Sequence, residues 1–98
     1  MIGVGATLML VASWYGPGFA GNLTASGTRF NPNESTAAHK SLPFGTKLRV
    51  CYDSCEVVTI TDRGPFIHGR DLDLSEGTAR RIGLIHSGIG TVETTRLN

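Results

Sequence analysis

The sequence predicts a mainly β domain that carries one short helix. The length of 98 residues suits a single domain over 1–98. The composition of thirteen glycines and only 7% aromatic residues is typical of tight turns between short strands. Short apolar runs bounded by Gly, Pro and Asn indicate the strands themselves. The net charge of +1 is too small to attract phosphates by counterion release. Nucleic acid is therefore not an expected partner.

The first third of the chain predicts one strand followed by a loop. Thr7 to Tyr15 is rich in apolar and aromatic residues and stops at Gly16-Pro17-Gly18, which ends strands. Phe19 to Pro32 is rich in turn formers, so we expect irregular backbone that can line a cleft. Thr36 to His39 is predicted to make one helical turn.

The middle of the chain predicts a β-hairpin. A turn at Leu42 to Gly45 leads into two β-rich runs, Thr46 to Cys51 and Cys55 to Thr61. Asp62 to Pro65 then breaks the second strand, because proline cannot donate a hydrogen bond to a ladder. A charged pair, Asp62 and Arg63, thus stands where the strand ends.

The last third predicts a short strand, a helix and a closing strand. Leu72 and Leu74 alternate with aspartates, which indicates a strand with one buried face. Ser75 is placed to cap a helix that runs to position 81 or 82 and ends at Gly83. Gly88 to Leu97 is predicted as the last strand, for a total of about six strands and one helix.

The two cysteines, Cys51 and Cys55, flank a three-residue loop. Two ligands alone cannot complete a tetrahedral structural zinc site, so a disulfide is the favoured interpretation, with a pair of reduced buried thiols as the alternative. A persistent disulfide implies an oxidising compartment outside the cytoplasm. The apolar segment Met1 to Ala12 lacks a basic start and is shorter than a membrane span. We therefore expect it to lead into the first strand, with any targeting signal either trimmed away or not used.

Six short motifs carry a resemblance to a known family, and together they extend over most of positions 11–97. They are ASWYG (Ala12 to Gly16), TASG (Thr24 to Gly27), TAAHKSLPFGTKLRV (Thr36 to Val50), TDRGPF (Thr61 to Phe66), GRDLDLS (Gly69 to Ser75) and ARRIGL (Ala79 to Leu84). In their order and spacing the chain resembles the double-psi β-barrel domain of the rare lipoprotein A family of lytic transglycosylases. More distantly it is similar to expansins, barwin-like proteins and an endoglucanase family, which act on or bind polysaccharides.

The resemblance implies a six-stranded double-psi β-barrel that acts on peptidoglycan glycan strands. The expected reaction cleaves between MurNAc and GlcNAc and leaves an anhydro-muramic end, with no cofactor and no metal. The expected location is periplasmic, cell-wall associated or extracellular, including a virion, and no membrane span is expected.

Asp62 is the expected general acid and base. A carboxyl group at a strand end with low solvent access can be held protonated, and it would protonate the leaving glycosidic oxygen. The lytic reaction that the resemblance implies uses the sugar's own hydroxyl to close the ring, so one group can act first as acid and then as base. The alternative is an ion pair with Arg63 or hydrogen bonds to turn amides, either of which would favour the ionised form.

Asp73 and His39 are the other expected catalytic residues. By resemblance, the aspartate of the DLS motif lies in the polysaccharide groove and shares or takes the acid role; its alternative is to complement the N-terminus of the helix that begins near Ser75. Asp71 is expected to face solvent. The histidine of TAAH is expected to orient Asp62 or to bind a sugar hydroxyl, and the alternative is a partly buried imidazole bonded to backbone groups.

The expected substrate contacts come from the strand ends and loops. Consecutive strand residues point to opposite faces, and the resemblance to expansins favours Trp14 inside the barrel with its two neighbours in the groove. The expected contacts, each with an alternative as an ordinary turn or surface group, are Ser13, Tyr15, Thr24, Ser26 and Arg63.

One departure from the family pattern leaves two other functions open. Enzymatic members of the family carry an acidic residue after TASG, whereas this chain has Thr28, which cannot transfer a proton at neutral pH. Glu34 lies in the same loop and could take its place in space. The alternatives to an enzyme are a non-catalytic, expansin-like glycan-binding module and a structural part of a phage tail or cell-wall assembly.

Overall fold

Six strands close into a barrel in the computed structural model, which describes residues 2–15 and 17–98. In chain order the elements are β1 (Thr7–Trp14), β2 (Thr36–His39), β3 (Lys47–Cys51), β4 (Cys55–Asp62), β5 (Leu72–Leu74), α1 (Glu76–Ile82) and β6 (Ile89–Arg96). A single 3-10 turn, Pro17–Phe19, follows β1. The predicted mainly β architecture with six strands and one short helix is confirmed. Met1 and Gly16, which belong to the expected N-terminal segment and to the turn after the first strand, lie outside the described residues.

The order of strands around the barrel is β1-β5-β2-β4-β3-β6. Two neighbouring pairs, β1 with β5 and β2 with β4, are parallel, and the other four are antiparallel. A parallel pair cannot be joined by a tight turn, so the chain must cross over between its strands. These crossings place β5 and β2 between β1 and β4, which brings segments distant in sequence onto one side of the barrel.

The barrel interior is apolar because every second residue of most strands points inward. Leu48 and Val50 of β3, Val58 and Ile60 of β4, and Leu72 with Leu74 of β5 are completely buried. Burial of a side chain of this size contributes about 1.5–3 kcal/mol relative to exposure. The residues between them are left on the outer face, where strand residues can serve a site without disturbing the core.

The helix α1 follows the sequence prediction closely. The side-chain oxygen of Ser75 accepts the backbone N–H of Thr78 at 3.2 Å, and Gly83 ends the helix with φ 91°. Ala79 and Ile82 are fully buried against the barrel, as the apolar spacing predicted. Within the described part of the chain, no helix has the length and apolar character that a membrane crossing requires.

The predicted helical turn at Thr36 to His39 is wrong, because these residues form β2. β2 pairs in parallel with β4 and antiparallel with β5, so both of its edges are hydrogen-bonded. Two ladders outweigh the weak helix propensity of a pair of alanines. The small side chains matter instead for packing, since Ala37 and Ala38 are both buried between larger neighbours.

The predicted disulfide between Cys51 and Cys55 is confirmed. The two residues are paired across the last rung of the β3–β4 hairpin, so the bond closes the loop where the ladder ends. The predicted hairpin is confirmed with it.

Replacing both cysteines by serine should weaken the domain without unfolding it. The loop that the bond closes is short, and chain entropy limits its contribution to about 2 kcal/mol. Urea unfolding of Cys51→Ser/Cys55→Ser should therefore show a free energy of unfolding lower by about 2 kcal/mol, with the barrel otherwise retained. A variant that cannot fold would show that the disulfide supports more than the hairpin.

Candidate functional site

A row of paired residues crosses four strands on the outer face of the barrel. Ser13 of β1 is in register with Asp73 of β5, Asp73 with Ala38 of β2, and Ala38 with Asp62 of β4. Asp73 points outward because its neighbours Leu72 and Leu74 fill the interior. Asp73 and Asp62 lie on the two strands that flank β2, and adjacent strands are about 4.8 Å apart. Ala38 itself is buried, with 1% of its surface exposed.

Asp62 reaches this face through an irregularity in β4. Ala37 pairs with Ile60, but the next residue, Ala38, pairs with Asp62, so Thr61 is an extra residue in the ladder. Simple alternation from Val58 and Ile60 would turn Asp62 into the barrel. An extra residue re-aims the side chains that follow it. The carboxyl accordingly meets groups on the outer face.

Three hydrogen bonds hold the Asp62 carboxyl. Its Oδ1 accepts the backbone N–H of Ala25 and that of Arg63, both at 2.9 Å. Its Oδ2 accepts the hydroxyl of Tyr15 at 3.2 Å. Of the alternatives considered for Asp62, the structure shows the hydrogen bonds to loop and turn amides and no ion pair with Arg63 among the described residues.

Arg63 is held beside this carboxyl by other groups. Its Nη1 donates to the backbone carbonyl of His39 at 3.3 Å and to that of Asp62 at 3.4 Å. The guanidinium carbon lies 4.1 Å from the ring centre of Phe44, a cation–π contact. Arg63 therefore brings positive charge to the edge of the row without neutralising Asp62 directly.

Asp73 lies in a different environment. Its Oδ1 accepts the Ser13 hydroxyl at 2.7 Å. Burial raises the pKa of Asp73; the Ser13 hydrogen bond and the charge of Arg70 offset part of this, and the charge of Asp62 raises it further. The N-cap of α1 is Ser75, and the hydrogen bond of the Asp73 side chain goes to Ser13.

The negative charges of Asp62 and Asp73 both act on Tyr15. Burial, then the negative charges of Asp62 and Asp73 and the hydrogen bond to Asp62, raise the pKa of its phenol, so the hydroxyl stays protonated as a donor. Its ring packs edge-on to Phe30, with centroids 5.0 Å apart. Trp14, on the opposite face of the strand, packs against the core.

His39 does not bond to Asp62. Its Nδ1 accepts the backbone N–H groups of Ser41, at 3.1 Å, and Leu42, at 3.0 Å. Burial, followed by the charge of Arg63, lowers the pKa of the imidazole, which is therefore neutral with its proton assigned to Nε2. Since His39 follows Ala38 in β2, its side chain leaves the strand on the other face.

The TASG segment forms the tip of a loop that is fastened to the end of β4. The N–H of Ser26 donates to the carbonyl of Thr61 at 3.1 Å, one residue from the Asp62–Ala25 bond. The hydroxyls of Thr24, Ser26 and Thr28 bond to one another at 2.9 to 3.1 Å. Position 28 therefore supplies a hydroxyl that is already engaged, and no carboxyl.

A cavity of about 260 Å³ lies between this loop and the strands β2 and β4; Thr61, the residue before Asp62, lines it, and neither aspartate of the row does. Thr28 and Glu34 both line it, so Glu34 does face the same cavity as position 28, as their common loop suggested. The remaining lining residues are Thr24, Arg29, Phe30, Asn31, Ser35, Thr36, Thr59 and Thr61.

Sequence reasoning missed two features of the site. The irregularity at Thr61 has no signature in the sequence, because β-branched residues continue through it. Asp71, expected to face solvent, is half-buried, and its carboxyl accepts the N–H of Val11 at 2.9 Å. The alternation of aspartates with Leu72 and Leu74 could have indicated that Asp71 and Asp73 share one face.

A comparison with protein families finds that a family model described as "Lytic transglycolase" matches residues 7–94. The chain is 56% identical over 85 residues to a probable endolytic peptidoglycan transglycosylase RlpA of Synechocystis sp., with 84% of this chain and 26% of that protein covered. It is 45% identical over 95 residues to the endolytic peptidoglycan transglycosylase RlpA of Campylobacter jejuni, with 94% of this chain and 34% of that protein covered. The chain thus spans about a quarter to a third of these relatives.

Solved structures share the fold at low sequence identity. The Streptomyces papain inhibitor superimposes with a TM-score of 0.79 and 16% identity over 100% of both chains. The apo form of an expansin from Clavibacter michiganensis gives a TM-score of 0.77 and 20% identity over 95% of this chain and 51% of that one. A mutant of the same expansin, in complex with cellohexaose, gives 0.77 and 19% with the same coverage.

Replacing Asp73 by asparagine should stabilise the domain at neutral pH. The folded-state pKa of Asp73 lies above its ordinary value of 3.8, so folding favours the protonated form. Asp73 therefore lowers the free energy of unfolding at pH values above its folded-state pKa. This penalty disappears as the pH falls below both the folded-state pKa and the ordinary value of 3.8. Asparagine can still accept the Ser13 hydroxyl.

Urea unfolding at about pH 7.5 and about pH 3 measures this difference. We expect Asp73→Asn to be more stable than the unmodified chain at the higher pH and to lose that advantage at the lower one. An equal effect at both values would mean that ionisation of Asp73 is not the cause.

Proposed function

Because this chain belongs to the Lytic transglycolase family of double-psi β-barrel domains, we propose that it cleaves peptidoglycan glycan strands between MurNAc and GlcNAc, with an anhydro-muramic end as product. Both compared relatives are described as endolytic peptidoglycan transglycosylases. The proposal extends that activity to a domain that spans part of their length, and it is supported by the chemistry of the row described above.

The observation that carries the proposal is the pair of aspartates on one face with different surroundings. We assign the proton-accepting role to Asp62, whose carboxyl is held in place by three hydrogen bonds. Asp73 has a raised pKa, which suits a carboxyl that delivers one. Two carboxyls whose environments differ in this way are the usual basis for separating acid from base. This division modifies the expectation that Asp62 performs both roles.

In the proposed reaction, Asp73 donates its proton to the glycosidic oxygen as the bond from that oxygen to C1 of the muramoyl sugar breaks. The 6-hydroxyl of the same sugar forms the new bond to C1 and releases its proton to Asp62. One bond breaks, one forms, and one proton enters while another leaves. The two aspartates then regain their starting states by proton exchange with solvent.

Other residues of the row position these two carboxyls. Tyr15 donates to Asp62 Oδ2, the oxygen that no backbone amide occupies, so it aims that oxygen at the face where a glycan would lie. Ser13 fixes the carboxyl of Asp73 in the same way. His39 has a positioning role in this proposal. Its ring accepts the N–H of Leu42 at the start of the 41–45 turn, which carries Phe44, and its backbone carbonyl accepts Nη1 of Arg63.

The proposed site of action is outside the cytoplasm, at the cell wall. Peptidoglycan is found there, and a disulfide at the end of the β3–β4 hairpin is stable in an oxidising compartment.

A glycan-binding role without cleavage is the second candidate. The observation that favours it is the closed group of hydroxyls at Thr24, Ser26 and Thr28, which places no ionisable group where enzymatic relatives are expected to carry an acid. In that case the row would hold a glycan, and neither aspartate would transfer a proton.

Incubation with purified peptidoglycan and mass spectrometry of the soluble products test both candidates. We expect the unmodified chain to release fragments with anhydro-muramic ends, and Asp62→Asn and Asp73→Asn each to lower the rate by about 10²- to 10⁴-fold, the usual contribution of general acid–base catalysis. The rate should rise and then fall with pH, because one carboxyl must be ionised and the other protonated.

Glu93→Gln is the matched control, since Glu93 is an exposed carboxylate on β6, away from the row. It should release fragments at the unmodified rate. Retention of the chain on insoluble peptidoglycan with no release of fragments would support the binding role and contradict cleavage.

A further inference from the structure

Two exposed phenylalanine rings stand in the segments that follow the two outer strands of the row. Phe19 is 53% exposed in the 3-10 turn after β1, and Phe66 is 85% exposed in the segment after β4. β1 and β4 run in opposite directions, so these two segments leave the row at opposite ends. Exposed apolar groups at the edge of a site often mark the place where a ligand lies.

Phe19 is held against the side chain that bonds to Asp62. Its ring centre lies 5.6 Å from that of Tyr15, and the two ring planes are inclined by 47°. Tyr15 donates its hydroxyl to Asp62 and is packed from another side by the buried ring of Phe30. Phe19 is therefore the exposed member of an aromatic cluster that is anchored in the site.

Phe66 is held by the chain that follows Asp62. A Cβ at position 64 would lie 3.5 Å from Cε2 and 3.7 Å from Cδ2 of Phe66, so the ring rests beside the backbone of Gly64. Phe66 is at most about 14 Å from Asp62, because four extended residues span no more. Within the described part of the chain, no other aromatic ring packs on Phe66. Most of this ring is therefore free to receive a ligand.

The contacts that connect the two rings run through polar groups. They pass from Phe19 to the Tyr15 hydroxyl, to the Asp62 carboxyl and then along the backbone to Phe66. A protein partner favours a continuous apolar patch at the centre of an interface. A pyranose sugar instead has an apolar face of C–H groups and a rim of hydroxyls. Two separate rings with hydrogen-bonding groups between them thus suit a chain of linked sugars.

We propose that Phe19 and Phe66 are platforms on which two sugars of one glycan strand stack, at opposite ends of the row. The apolar face of each sugar lies on a phenyl ring, and the strand between them crosses Asp73 and Asp62. This inference rests on the proposed function and deepens it. It assigns binding energy to two residues that take no part in proton transfer, and it makes recognition depend on several linked sugars.

Retention on insoluble peptidoglycan tests the platforms without cleavage when every variant also carries Asp73→Asn. In that background we expect Phe66→Ala to lower the affinity about two- to tenfold, the usual contribution of one aromatic contact. The melting temperature should not change, because the ring is mostly exposed. Phe66→Tyr keeps the ring and should retain the affinity.

Phe19→Ala should lower the affinity by a similar factor. Ile67→Ala and Leu23→Ala are the matched controls, since both side chains are more than half exposed, lie in the same two segments and have no ring. Both controls should bind as their parent does. Equal losses in the controls would mean that apolar area alone retains the chain, and would overturn the platforms. A loss in only one ring variant would overturn the paired arrangement.

The kinetics of fragment release separate a platform from a residue that shapes the reaction centre. In the chain that retains both aspartates, Phe66→Ala should raise the KM and leave kcat unchanged, because the ring contributes binding that is equal in the ground state and the transition state. The pH dependence should also stay the same, since a phenyl group does not ionise. A shifted pH profile would contradict a role limited to binding.

Soluble oligomers of N-acetylglucosamine test the requirement for linked sugars by calorimetry. We expect the hexamer to bind at least about fivefold more tightly than the dimer, because only the longer oligomer reaches both rings. In Phe66→Ala most of this gain should disappear. Equal affinities for the dimer and the hexamer in the unmodified chain would overturn a site with two platforms.

The outcomes separate this inference from the proposed function. Unchanged retention of Phe19→Ala and Phe66→Ala, in a chain that releases anhydro-muramic fragments, would overturn the platforms alone. Weaker retention of both ring variants, in a chain that releases no fragments, would support the platforms and contradict cleavage. A chain that neither binds peptidoglycan nor releases fragments would contradict both.

Discussion

The hydrogen bonds to the carboxyl of Asp62 are the interaction on which the site depends. Two of them bring segments distant in sequence to the end of β4, namely the loop tip at Ala25 and Tyr15 just after β1, and the third is a local bond from the backbone of Arg63. Asp62 therefore holds the loop and the segment after β1 around its own carboxyl, so the side chain that is proposed to react also has a structural role.

The two aspartates show how one surface can give two carboxyls different properties. Asp62 is surrounded by donors, whereas Asp73 has a single hydroxyl partner and is penalised by burial. The charge of Asp62 raises the pKa of Asp73, and the negative charges of both aspartates raise the pKa of Tyr15, which stays a hydrogen-bond donor. This tension has an energetic cost to folding at neutral pH, as is common where side chains are arranged for reaction rather than for stability.

Much of this architecture could be predicted from the sequence, because it follows from local rules. The alternation of Leu72 and Leu74, the Ser75 cap and the short spacing of Cys51 and Cys55 each specify their element directly. β2 could not be predicted in this way, since its two alanines become a strand only when neighbours on both sides supply ladders. The outward aim of Asp62 and the isolation of the His39 ring from it also depend on register, which no local pattern records.

The extra residue at Thr61 gives this fold a simple route to change. Side chains in a strand alternate, so loss of a single residue there would exchange the faces of everything beyond it up to the next turn. Val58 and Ile60 precede the irregularity and would keep their places in the core, whereas the carboxyl of Asp62 would turn toward the interior and leave the outer face. Gain or loss of one codon at this point can thus add a carboxyl to the outer face or remove it, while the strand residues before it keep their positions. A single-residue change at the end of β4 therefore decides whether this fold carries the carboxyl that the proposed reaction needs.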